Sequence, residues 1–417
     1  MLRQTLDAKR IANMKIEAVL PPKGRDIRLD LFRGIANWAI FLNHIPNNAV
    51  NWITTRNYGF SDGADLFVFI SGYTAAIVYG RIMRDSGFLI GATRLSKRIW
   101  QLYVAHVMLL VIYVAAIGYV AIRFQYDNIL HEFNVATLVH NPIETLIEGL
   151  LLRFKPYNLD VLPLYIVLMA LFPFVLWIML RRPGLTMLGS LLLYFAARQF
   201  GWNLVGYPEG GWFFNPFCWQ LLFCLGAWAA LGGSIKLRPV INSQLLVYLG
   251  SAYLVFALIM TLATAFDSLR GVIPKWLYVT FNPNDKTNLA PYRVLHFVVI
   301  ALLVARFLPK DWKGLQWTVF DPLIKCGQQS LPVFCAGVFL SFLGYFFLAI
   351  SSGTLFVQVL ISAAGIAVLC GIAYYTDWSK QADRIVKGPS RVGGASPTSQ
   401  ASELRQTPLK SGEAPDP

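Results

Sequence analysis

Apolar stretches long enough to cross a bilayer as helices recur along this chain, and they restrict its fold more tightly than any other feature. In lipid a backbone N–H or C=O finds no water, so each stretch must satisfy its own backbone by forming a helix. The stretches fall at about 30–49, 62–80, 97–122, 161–180, 184–200, 212–231, 243–265, 291–308, 328–349 and 354–375. The expected class is therefore an all-α polytopic membrane protein with about ten transmembrane helices. Composition agrees: 56% of the 417 residues are hydrophobic and 14% charged, whereas a soluble domain carries about 25% charged residues. Segment 143–152 is too short to cross. Its apolar Ile143, Leu146, Ile147, Leu150 and Leu151 follow helical spacing, which suits an interfacial or re-entrant helix.

The formal charge of +14 reflects topology rather than a nucleic-acid partner, because no basic face is interleaved with aromatics. With an inside N-terminus, 26 of the 36 Lys and Arg fall on the inner side and nine outside; Arg33, within the first span, is the remaining one. Ten spans then leave both ends in the cytoplasm. Three parts are expected: a basic arm over 1–28, a membrane domain over 29–378, and a disordered tail over 379–417 rich in Pro, Ser and Gly. Leu6, Ile11 and Met14 give the arm at most a weak amphipathic helix; a solvated arm is the simpler reading. No cleavable signal peptide is expected, since residues 1–28 lack an apolar core. The five cysteines lie in or beside spans without metal-ligand spacing and read as packed thiols.

Ionisable groups inside spans are costly and mark sites. In the first span Arg33 and His44 lie eleven residues apart, so they share a helix face across a rise of roughly 16 Å. The second span opens with Asp62 and Asp65, one turn apart, at the end where the first span finishes. His44 is either a base or a backbone-bonded histidine, and Asp62 either caps its helix or takes part in chemistry. Arg33 either pairs with Asp30 or holds an anionic ligand. Ser71-Gly72 suits close helix packing, with an oxyanion role for Ser71 as the alternative. Arg293 and His296, one turn apart in the eighth span, either pair with the carboxylates or read an acidic group. His106 reads as a core histidine, and His131 and His140 show no ligand spacing. The outer aromatics, among them Tyr126, Tyr157, Trp202, Tyr207, Trp212, Trp276 and Tyr278, form either an interfacial belt or a carbohydrate platform.

The stretch LDLFRGIANWAIFLNH resembles the Arg-x10-His signature of membrane-bound acyltransferases of the acyltransferase-3 superfamily. More closely, RLDLFRG, FLNHIPNN, YGFSDGADLFVFISGY and GQQSLPVF resemble the OpgC family, linked to succinylation of osmoregulated periplasmic glucans. The resemblance runs from about Arg28 to Trp378. The OpgC pattern usually has Ala-Glu where this chain has Ala64-Asp65, which keeps a carboxylate but shortens it.

The resemblance implies an acyl-CoA co-substrate, succinyl-CoA first, with no permanently bound cofactor and no metal. It also implies a glucan hydroxyl acceptor and a bacterial inner-membrane location. His44 would be the base, with Asp62 or Asp65 orienting it. Arg33, Arg81, Arg84 and Arg98 would receive the donor, helped by Arg94 and Lys97. The alternatives are acetylation of another surface glycan and, from a different class, a secondary transporter or flippase. That last class should show inverted repeats and interrupted helices, and neither is visible. A lipid-linked glycosyltransferase would need an acidic pair in the first outer loop, which is lacking.

Overall fold

The structure, a computed structural model, describes residues 16–387 apart from 23 and 127. The ten expected spans correspond to ten long helices: α1 (Ile27–Asn43), α2 (Gly63–Ser86), α3 (Phe88–Phe124), α4 (Val161–Arg181), α5 (Pro183–Phe200), α6 (Pro216–Trp228), α7 (Gln244–Leu262), α8 (Pro291–Phe307), α9 (Ser330–Ile350) and α10 (Leu355–Lys387). The chain is an all-α polytopic membrane protein. Among the described residues seven helices are long and apolar enough to cross a membrane: α2, α3, α4, α6 with its extension to Lys236, α7, α9 and α10. The remaining three, α1, α5 and α8, have 17, 18 and 17 residues. A helix of 17 residues spans about 26 Å, slightly less than the hydrocarbon core. Two of these three, α1 and α8, carry Arg33 and Arg293.

Local chemistry sets the ends. Asp26 caps α1 by accepting from Arg28 N. At α2 the Asp62 side chain accepts from Ala64 N, while Asp65 accepts from Asp62 N at 2.8 Å, a reciprocal capping box. Proline opens α5, α6 and α8, where a missing N–H costs nothing. Gly87, at φ +87°, turns α2 directly into α3. That helix begins at Phe88, well before the expected 97, because the turn needs no loop.

Two close approaches fix the helices around α1 and α2. A Cβ on Gly72 would lie 2.0 Å from the Phe223 carbonyl oxygen, and one on Gly226 would lie 2.0 Å from that of Phe69. So α2 and α6 touch backbone to backbone, and Gly72 serves packing. Gly34 and Gly327 do the same between α1 and the helix Asp321–Gln328. The Gly of GQQSLPVF therefore lets that short helix lie against Asp30 and Gly34. Trp219, Tyr113, Phe172, Phe223 and Phe342 are fully buried among these helices.

Several expectations change. The arm is not free over 16–22: Glu17 N and Ala18 N donate to Leu180 O, and Val19 N donates to Leu231 O. Leu231 O is available because the helix breaks at Leu231 and Gly232, the latter at φ +106°. Leu6, Ile11 and Met14 lie outside the described residues. The last helix continues through Lys387, so residues 379–387 are helical where a tail was expected; 388–417 lie outside the described residues. The chain divides into two units, Met1–Tyr374 and Tyr375–Pro417. In the second, the described residues are the final turns of α10, where the Tyr375 and Trp378 rings approach to 5.9 Å. Pro142–Leu150 forms the expected short helix, with Ile143, Leu146, Ile147 and Leu150 exposed, as suits contact with lipid.

Candidate active site

The end of α1 and the start of α2 border a cavity of about 950 Å³, lined among others by His44, Asp62, Arg293, Lys286, Lys155 and Asp160. His44 is the C-cap of α1, its N–H bonded to Ile40 O and Phe41 O. Its carbonyl accepts from Asn158 Nδ2 at 3.2 Å, so the backbone beside the imidazole is fixed from a second segment. The Nδ1 atom of His44 is buried and bonds no described residue, which leaves Nε2 as the ring nitrogen open to the cavity.

The two carboxylates do not hold the ring. Asp65 is fully buried and accepts from Arg293 twice, Nε to Oδ1 at 2.9 Å and Nη2 to Oδ2 at 2.5 Å. Asp62 accepts from Lys286 Nζ at 2.7 Å and lies 3.1 Å from Arg293 Nη2. Arg293 also donates from Nη1 to Phe60 O at 2.7 Å. The expected orienting bond from Asp62 or Asp65 to His44 is thus absent from the geometry. The capping box and the two cations have already engaged those oxygens. A buried Arg must be paired to be tolerated, and the shorter Asp65 reaches Arg293 without leaving its capping position. Of the two readings of Arg293, the structure displays the counter-ion.

His296 serves the same wall. Its Nδ1 lies 2.8 Å from Ser61 Oγ, and a Cβ on Gly59 would come within 2.2 Å of its Nε2. It braces the 59–61 turn that delivers Asp62 and does not line the cavity.

Arg33 lies elsewhere, in a second pocket of about 230 Å³ with Arg98, Ser71, Thr74, Tyr79 and Tyr165. Arg33 donates to Thr74 Oγ1 at 2.9 Å, while Asp30 is taken by Arg25, so of the two readings of Arg33 the pairing with Asp30 does not form. Ser71 belongs to this pocket and not to that of His44, which removes it as an oxyanion donor beside the imidazole. The remaining arginines separate. Arg81 donates to the carbonyls of Pro21 and Pro22 and so ties down the arm. Arg84 is exposed and pairs with Asp85.

Lys286, Lys155 and Asp160 are among the cavity residues that escaped the sequence reading as site residues. Lys286 counted only as an outer charge. Lys155 and Asp160 lie in the outer segment RFKPYNLD. Lys155 is buried with Nζ 4.0 Å over the Trp212 ring, donating to Leu152 O and Arg153 O. Burial pushes its ammonium down to about 8. The signal was the polar run itself, which carries Lys, Asn and Asp immediately before an apolar span. Tyr157, Tyr207 and Tyr278 also line the cavity. Part of the outer aromatic set therefore faces the site rather than a belt.

No curated protein and no solved structure matches the chain. Residues 25–381 match the family model described as OpgC protein. That range takes in both pockets and all ten long helices but for the last residues of α10, and the chain belongs to the OpgC protein family.

Proposed function

We propose that this protein is a membrane O-acyltransferase that moves an acyl group, succinyl first, from acyl-CoA to a hydroxyl of a periplasmic glucan. Family membership supports a glucan-modifying transferase. The observation that carries the reading is the placement of two pockets on one helix. Arg33 opens into one and His44 into the other, about 16 Å apart along α1 by helical rise. The donor enters at the Arg33 and Arg98 end, taken to face the cytoplasm, where two guanidiniums suit an anionic or amide-rich ligand. The acceptor enters the larger cavity, whose volume and polar lining suit a carbohydrate.

A thioester is already activated, so the protein supplies a base and charge stabilisation. The glucan oxygen attacks the thioester carbonyl carbon while His44 Nε2 takes the hydroxyl proton. Collapse breaks the C–S bond, and the thiolate recovers the proton from the imidazolium, giving an ester and free CoA. Asp62 acts through charge across the cavity, with Lys286 and Arg293 limiting its effect. Lys286, part-exposed in the cavity beside Asp62, is suited to charge that develops on the carbonyl oxygen. Asp65 acts by holding Arg293. The bilayer is the remaining partner. Membranes bearing the protein should consume labelled succinyl-CoA and label added glucan; failure of both would end the reading.

A further inference from the structure

Three carboxylates line the His44 cavity: Asp62, Asp160 and Glu209. Asp62 is spent on its cap, Lys286 and Arg293. Glu209 is exposed at the rim. Asp160 differs from both. It is only half-buried, and among the described residues no other residue bonds its side chain or pairs with it at ion-pair distance. Lys155 and Lys286 act on it only through space.

Its position is nevertheless fixed. Asp160 is the residue before α4, and two residues earlier Asn158 donates to His44 O. Asn158 is in the left-handed region at φ +74°, a conformation asparagine tolerates better than most residues. Lys155, five residues before Asp160, is clamped over Trp212 and by two backbone carbonyls. The segment that carries Asp160 is therefore anchored at both the Trp212 wall and the His44 backbone.

A carboxylate with open acceptor oxygens, flanked by two ammonium groups and by Tyr157 and Tyr207, is a hydroxyl-binding arrangement. The oxygens accept from two neighbouring hydroxyls of a sugar ring, and the lysines donate to ring or hydroxyl oxygens. We infer that Asp160 is the acceptor-binding carboxylate of this cavity, which holds a sugar ring by its hydroxyls and turns one hydroxyl toward His44. This rests on the acyltransferase reading and adds the residue that recognises the acceptor.

The test is two-substrate kinetics on the full-length protein in membranes, with short gluco-oligosaccharides as acceptor and labelled acyl-CoA as donor. Asp160→Asn should raise the acceptor KM at least tenfold and leave the KM for acyl-CoA unchanged. Asp160→Glu, which restores the charge, should recover part of the acceptor affinity. Acceptor binding is also read without turnover, by tryptophan fluorescence on titration with the same oligosaccharides, where Asp160→Asn should bind at least tenfold more weakly. An unchanged acceptor KM and binding in Asp160→Asn, or an equal rise in both KM values, would overturn the assignment while wild-type transfer keeps the acyltransferase reading intact. A wild-type protein that binds oligosaccharide through Asp160 but transfers no acyl group would overturn only that reading and support the assignment of Asp160.

Discussion

Arg293 and Asp65, 228 residues apart in sequence, form a two-bond ion pair in which Nε reaches Oδ1 at 2.9 Å and Nη2 reaches Oδ2 at 2.5 Å. Both side chains are almost wholly buried, and a third oxygen, from Phe60, completes the guanidinium. This pair joins α8 to the first turn of α2 and fixes Arg293, which lines the same cavity as His44. Removing one partner of such a pair leaves a buried uncompensated charge, worth about 3–5 kcal/mol.

Arg293→Gln should therefore lower the thermal stability of the detergent-solubilised protein markedly. It should reduce transfer from succinyl-CoA and acetyl-CoA to the same degree, because the guanidinium is already engaged by protein oxygens. A loss confined to succinyl-CoA would show instead that Arg293 reads the acyl carboxylate.

Gly72→Ala places a methyl group 2.0 Å from the Phe223 carbonyl oxygen. Overpacking of this kind costs about 1–3 kcal/mol, and here backbone, not a flexible side chain, must move. The variant should melt at a lower temperature than wild type while Ala at Gly189, where nothing lies within 4 Å, should not. Equal melting temperatures would mean that α2 and α6 do not meet as closely as described.

Arg33→Ala removes one of the two guanidiniums of the smaller pocket and the bond to Thr74 Oγ1. A hydrogen bond to a charged group is worth about 1.5–3 kcal/mol, so the KM for acyl-CoA should rise about tenfold or more. The acceptor KM should stay as it is. Unaltered donor kinetics would detach that pocket from the donor.

Burial pushes the Asp160 carboxyl up to about 6 from 3.8, with Lys155 and Lys286 pulling against it. The folded chain thus retains a proton that the unfolded chain releases near 3.8, so this group's contribution to stability falls as pH rises from about 4 to about 6. Acceptor binding runs the other way, because the charged form is the stronger acceptor. The acceptor KM should drop as pH rises through about 6, and the step should vanish in Asp160→Asn. A step that persists in that variant belongs to another group.

The helices were legible because length and hydropathy alone define a span, and capping by Asp62 was one of two open readings; the reciprocal part that Asp65 plays in the box was not foreseen. The count of spans was less secure for a physical reason: α1 and α8 are short, and Arg28, Asp30 and Arg33 in the one and Arg293, His296 and Arg306 in the other make them less apolar. Partners were legible only in part. Pairing of Arg293 with the carboxylates was one of two open readings, whereas nothing local ties Lys286 to Asp62, and each pair closes over more than two hundred residues. The expectation that a carboxylate bonds His44 failed on that account. It assigned Asp62 and Asp65 to the nearest helix end without knowing which cations arrive there. Lys155 and Asp160 were hidden because a loop segment has no periodicity from which to infer a facing direction.

His44 is the residue on which the chemistry depends, and it stands with Nε2 open to the cavity at the end of α1. Its removal deletes a base worth about 100- to 10,000-fold in rate. It leaves the Arg293–Asp65 and Lys286–Asp62 pairs untouched, since neither involves His44. The decisive measurement is transfer of label from succinyl-CoA to glucan by membranes carrying equal amounts of wild-type and His44→Ala protein, with the solubilised melting temperature as a check on folding. The expected result is loss of nearly all transfer at an almost unchanged melting temperature. Transfer by His44→Ala at the wild-type rate would contradict general-base catalysis at this site.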